Sequence, residues 1–296
     1  MNISPATLAL NIANFQSQTL NSLINSSSDF NGDFLFAKTS ALPSSNTAST
    51  NPLFALFNTG KTTDVPSLGR NMTLNDPESA YKMMTVINNR DASYKAQFSE
   101  LSQMQSYVSR MQDAGQNLGS IESTTGNDQI KSQLNSFTEQ YNSWIQRFDT
   151  DMQAGGLLSS TQAAQVSVYE LDQSIKNIFN GARDGMHGMS DIGITIDPTT
   201  GLASLENTKL DLTLATNKQA AVNTIQDFSA NFTKSAYLLN SENNFIPNQL
   251  NNLNSAIHYI ADNKDSLQIE FGIGNPAKPT GQVAQALAAY NQTYAI

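Results

Sequence analysis

Two long segments with heptad-like apolar spacing bracket one short strand-turn-strand signature, and that arrangement constrains this chain more than any other feature. The first segment runs from about residue 76 to 148 with a break near Gly126, and the second from about 217 to 271. Between them, residues 191–206 carry alternating isoleucines, then a Pro/Gly turn, then renewed apolar residues. In the first segment Tyr94, Phe98, Leu101, Met104, Val108, Met111 and Leu118 follow intervals of 4, 3, 3, 4, 3 and 7. Ile130, Leu134, Phe137, Tyr141, Trp144 and Phe148 follow intervals of 4, 3, 4, 3 and 4. Spacing of this kind puts the apolar side chains on one stripe of a helix, either as a core within the chain or as a seam between chains. Asp76 before Pro77 marks a helix start, because the aspartate can cap free amides and proline needs no donor there. The short break at Gly126 predicts that the two helices on either side pack antiparallel.

Further along, a helix is expected over Gln162 to Asn180, with Ala164, Val168, Leu171, Ile175 and Ile178 inward. Ile192, Ile194 and Ile196 alternate into the turn Asp197 to Gly201, and Leu202 and Leu205 follow, which reads as a β-hairpin. A lone hairpin is marginally stable, so it must rest on helices. Leu210, Leu212 and Leu214 begin the return, and Val222, Ile225, Phe228, Phe232 and Leu239 mark one helix. After Pro247, Leu250, Leu253, Ile257, Ile260, Leu267 and Phe271 mark another; a loop spans 272–281 and an Ala-rich helix 282–296. Residues 1–75 read as a mobile N-terminal arm. Leu8, Ile12, Phe15, Leu20 and Leu23 allow a short helix within it, and residues 53–57 form a local apolar anchor. The expected fold is mainly α: a long antiparallel helical bundle with a coiled-coil-like stem over 76–296 and one small hairpin.

Composition narrows function chiefly by exclusion. Charged residues make up 14% of the chain and the net charge is −9, so there is no basic stripe for nucleic acid or an anionic membrane. With no cysteine, disulfides and Cys-containing zinc sites are excluded. No apolar run approaches the ~18 residues of a membrane-spanning helix, and residues 1–10 lack the basic and apolar regions of a cleaved signal peptide. His187 and His258 are far apart and form no metal-binding pattern. The glycines at 272 and 274 lack the strand-helix context of a dinucleotide site, Gly181 to Gly188 lacks the Lys-Ser/Thr of a phosphate loop, and Asp29 to Asp33 lacks the spacing of a calcium loop. Asp149 and Asp151 read as solvated acids near a helix end. No catalytic residue, cofactor site, metal site or small-molecule substrate is expected.

The segment from Ser190 to Asn217 resembles a stretch of the bacterial flagellar hook-associated capping proteins, which form the filament cap. Gly193, Asp197, Gly201, Leu205, Lys209, Leu210, Asp211 and Leu214 carry the match. Upstream, Phe137, Tyr141 and Asn142 resemble that family's Phe-x-x-x-Tyr-Asn helix, and the likeness covers about residues 76–296. The family's large central variable domains have no counterpart, since only about Glu122 to Asp128 separates the first two helices, so the resemblance implies a reduced form. It further implies a non-enzymatic structural subunit of the flagellum, exported without a cleaved signal peptide to an extracellular position. Such a subunit self-associates and assists flagellin or other axial proteins. The residues expected to pack or assemble are Tyr94, Phe98, Leu101, Val108, Phe137, Tyr141, Trp144, Leu250, Leu253 and Ile257, with Gly193, Asp197, Gly201 and Lys209 as the hairpin motif. The competing expectation is a cytosolic helical adaptor or flagellar export chaperone that holds a partner's helix in its groove.

Overall fold

A 42-residue helix, α1 (Pro77–Leu118), is the element on which most others lie. At 1.5 Å per residue it is about 63 Å long. The computed structural model describes residues 69–176 and 181–294; the expectations for residues 1–68 and for Ile178 and Asn180 lie outside them. The order continues with α2 (Asn127–Met152), α3 (Gln162–Lys176), a helical turn α4 (Met189–Ile192), β1 (Ile194–Ile196) and β2 (Ala203–Leu205). It ends with α5 (Asn207–Asn240), α6 (Phe245–Asp262), α7 (Lys264–Phe271) and α8 (Gly281–Tyr294). Among the described residues the protein is therefore mainly helical with one two-stranded antiparallel sheet.

Helix α1 begins as its sequence dictates. The Asp76 carboxylate accepts the Ser79 amide at 3.0 Å and the Ser79 hydroxyl at 2.6 Å, and Pro77 fills the first turn. After the turn at 119–126, α2 runs back along α1, so that Arg147 meets Glu100 and Phe148 meets Tyr107. Helix α5 holds that turn in place: Lys218 Nζ donates to the Thr125 carbonyl at 2.6 Å and Gln226 Nε2 to the Ile121 carbonyl at 2.8 Å. The α1–α5 contact is close because Gly115 and Gly119 lie one turn apart. A Cβ at Gly115 would fall 2.8 Å from the Phe232 ring, and Ser229 Oγ donates to the Gly115 carbonyl at 2.7 Å.

The main core joins α1, α2, α3, α5, α6 and the hairpin, with Trp144, Tyr141, Phe137, Phe148, Phe228 and Phe232 as its largest members. Phe137 meets Phe228 and Phe232 edge-on at 5.4 and 5.0 Å. Toward the start of α1, Met84 and Ile87 pack with Ile260 and Leu267; Ala96 packs with Leu157 and Ala286. Each large apolar side chain buried this way contributes roughly 1.5–3 kcal/mol before entropy is counted.

Several local expectations need correction. Ile192 belongs to the helical turn α4, not to a strand: Gly193 at φ 104 ends that turn, and the strand begins at Ile194. Alternation of buried isoleucines does not separate these cases, because a turn and a strand can bury them in succession. Leu210, Leu212 and Leu214 lie on a helix, so Leu210 and Leu214, four apart, are buried while Leu212 is 64% exposed. Helix α5 breaks at Asn217, whose φ/ψ of −149 and 59 is non-helical. The expected helix after Pro247 is two helices that change direction at Asn263, and Pro247 sits inside the first turn of α6, where a missing amide costs nothing. In α3, Val168 is half-buried, and the buried line is Ala163, Ala164, Ser167, Leu171 and Ile175.

Candidate functional site

The hairpin and the face of α2 beneath it form the most specifically built polar site among the described residues. Strands β1 and β2 pair Ile194 with Leu205, Thr195 with Ser204 and Ile196 with Ala203. The turn is closed by backbone bonds from Asp197 N–H to the Leu202 carbonyl and from Gly201 N–H to the Asp197 carbonyl, both 2.9 Å. The Asp197 carboxylate accepts the amides of Thr199 and Thr200 at 2.8 and 2.7 Å, and these bonds hold its pKa below the usual carboxylate value. At the base, the Glu206 amide donates to the Gly193 carbonyl at 2.9 Å, and a Cβ on Gly193 would fall 2.8 Å from the Glu206 carbonyl oxygen.

One side chain fixes this hairpin to the helices. Asn142, half-buried on α2, accepts the Ala203 amide on Oδ1 at 2.7 Å and donates from Nδ2 to the Ala203 carbonyl at 2.9 Å. Its carboxamide thus occupies the outer edge of β2 as a neighbouring strand would, satisfying both backbone groups of one residue. The far side is anchored through Asp191. Its carboxylate accepts the His187 amide at 2.8 Å and faces His187 Nδ1 at 3.0 Å, and its carbonyl accepts the Thr213 hydroxyl at 3.2 Å. The bond from the His187 amide holds the Asp191 carboxyl below its ordinary pKa, with Lys209 nearby contributing. The structure thus places Asp197 and Gly201 at the hairpin turn and Gly193 at its base, sets Lys209 near Asp191, and adds Asn142 as the clamp on β2.

The expected packing residues have a different setting. Leu101, Val108, Phe137, Tyr141, Trp144, Leu250, Leu253 and Ile257 are buried within the chain itself. Tyr94 and Phe98 are half-buried, and Phe98 meets Tyr290 and Tyr294 of α8 edge-on at 5.9 and 5.3 Å. Burial pushes the Tyr141 phenol well above its ordinary pKa, and the nearby Asp172 carboxylate adds to the shift. Exposed large apolar side chains lie elsewhere: Met72, Ile269 and Ile273 where residues 69–72 meet α7, and Tyr237 and Leu238 near the end of α5.

Sequence reading missed the role of Asn142, although its place beside Tyr141 in an apolar stripe was visible. It also missed a partly buried ion cluster, and Asp151, expected as a solvated acid, is instead 3% exposed and paired with Arg147. Arg147 Nη2 donates to Glu100 at 2.5 Å and to Gln103 at 2.8 Å, while Nη1 donates to Asp151 at 3.1 Å. Among the described residues no group of three or more His, Asp or Glu could hold a metal ion, and no helix is long and apolar enough to cross a membrane.

Fold and site together define a helical protein that presents a clamped β-hairpin. Compared with known proteins, the chain matches no family model, no curated protein and no solved structure.

Proposed function

We propose that this chain is a structural subunit of the bacterial flagellum, most like the filament cap, in a reduced form without large central domains. In this reading α1 and α2 form a coiled-coil-like stem of an antiparallel bundle. Copies associate with one another at the filament tip and assist flagellin assembly. The subunit is extracellular, exported without a cleaved signal peptide, and works without catalysis, cofactor, nucleic acid or membrane. One observation carries the reading. The two separate segments on which the family resemblance rests, Phe137 to Asn142 and Ser190 to Asn217, meet through the two hydrogen bonds that Asn142 and Ala203 exchange. Since the heptad stripes are consumed inside the chain, association would use exposed surface such as Met72, Ile269 and Ile273.

Immunogold electron microscopy on intact cells tests the proposal. Label at filament tips supports capping. Label along hook or filament indicates a junction or filament subunit instead. Label confined to the cytoplasm overturns the axial reading in favour of a helical adaptor or export chaperone.

A further inference from the structure

The buried face between α1 and α2 contains two carboxylates and one guanidinium. Glu100 is 7% exposed and Asp151 3% exposed, and both bond to Arg147, whose guanidinium also lies 4.9 Å from the centre of the Phe148 ring. Fully ionised, the cluster carries one uncompensated negative charge on two nearly buried carboxylates, with water reaching it only from the side of Arg147, whose side chain is 31% exposed, and a charge so placed is costly unless paired. Among the described residues, no second cation bonds to this cluster. From α1 the neighbours are Glu100 and the neutral Gln103; from α2 they are Arg147 and Asp151. The segment 153–161 folds back over this region, with Leu158 N–H on the Asp151 carbonyl and Gln97 Nε2 on the Leu157 carbonyl, and it contains no charged residue. Helix α8, packed along α1, contains none either. In α3 the acid Asp172 pairs with Lys176 at 3.0 Å. The charged groups that act on Glu100 are Arg147 and Asp151.

We propose that Glu100, Arg147 and Asp151 form a proton-operated latch between α1 and α2: closed when Glu100 carries a proton, and loosened when that proton leaves. With one proton on Glu100, two acids and one guanidinium sum to zero. Burial raises the Glu100 carboxyl above its ordinary pKa; Arg147 opposes that rise and Asp151 reinforces it. A folded-state pKa above the unfolded value means that the folded protein binds more protons between the two values. Stability is therefore gained as pH falls through the raised pKa, is complete below the ordinary glutamate value, and is lost as pH rises again.

The test is a thermal melt of the full chain between about pH 8 and pH 5, the interval that lies above the ordinary carboxylate range. The wild type is expected to melt several degrees higher at the acid end. Glu100→Gln, which is neutral at every pH, is expected to melt higher than wild type at pH 8 and to lose most of the pH slope. Asp151→Asn should act alike, so a folding failure of one variant leaves the other to decide. Independently, the ¹³C signal of the Glu100 carboxyl should titrate with a midpoint above that of an ordinary glutamate. A wild-type melt that is flat or falls on acidification, with Glu100→Gln running parallel to it, overturns the latch. So does a Glu100 carboxyl that titrates at or below the ordinary value.

Discussion

Replacing Asn142 tests both the clamp and the reasoning behind the proposed function. Asn142→Ala removes two hydrogen bonds and leaves the Ala203 amide and carbonyl facing a space that water reaches only in part. A typical bond contributes about 1 kcal/mol net, and a buried group left unpaired costs about 1–3 kcal/mol. For a half-buried site the lower end applies to each, which gives about 2 kcal/mol. In a body of this size, 1 kcal/mol shifts the melting temperature by about 2–4 °C, so the expected drop is about 4–8 °C. The hairpin has three residues per strand and one backbone neighbour for each strand, so much of the loss should be local. Hydrogen exchange at the Ala203 amide should accelerate by about 30-fold, the factor that 2 kcal/mol represents. Asn142→Asp sharpens the test: a carboxylate still accepts from the Ala203 amide but cannot donate to its carbonyl, so at neutral pH it should restore part of the protection. If Ala203 exchanges at the wild-type rate in both variants, the clamp does not hold the hairpin, and the observation that links the two resembling segments loses its weight.

Three other outcomes follow from the same geometry. Leu253→Asp puts a carboxylate without a partner into the core at a site 4% exposed, and should cost more than about 3 kcal/mol; unchanged helicity and melting by circular dichroism would mean that the inward face of α6 is misassigned. Gly193→Ala combines a left-handed backbone, φ 104, with a Cβ 2.8 Å from the Glu206 carbonyl oxygen, so it should lower stability by about 1–3 kcal/mol; a neutral result in denaturant unfolding would refute the strained turn. Finally, Asp76, Asp191 and Asp197 all have lowered carboxyl pKa values, chiefly through hydrogen bonds from Ser79, His187 and Thr200. Their stabilisation is present above the ordinary aspartate value and is lost as pH falls through the lowered values, so melting should decline below about pH 4. That decline should be smaller in Asp76→Asn, and an identical acid limb in this variant would remove Asp76 from the account.

The parts of the fold visible in the sequence are those fixed by near neighbours. Asp76 and Pro77 start α1 through contacts within one turn, and the α2 stripe is regular enough that all six of its members are buried. Expectations weakened wherever the deciding partner was remote. The break of α5 at Asn217 falls where the second stripe was expected to begin, but the continuation of the helix on its N-terminal side to Asn207 was not expected. Phe232 and Ser229 of α5 approach α1 closely at Gly115 and Gly119, a contact that no apolar period marks. The polar links show why such sites escape a periodic reading. Asn142 follows buried Tyr141, Glu100 precedes buried Leu101, and Arg147 precedes buried Phe148. One residue is a rotation of about 100° on a helix, so each of these side chains stands on the flank of a buried stripe, where two elements meet at the margin of the core. Sequence can therefore mark the flank positions. It cannot select the partner, because Asn142 reaches a residue 61 positions away and Arg147 one 47 positions away. Periodicity fixes which face of a helix turns inward; the flanking polar residues decide which other element that face must meet, and in what register.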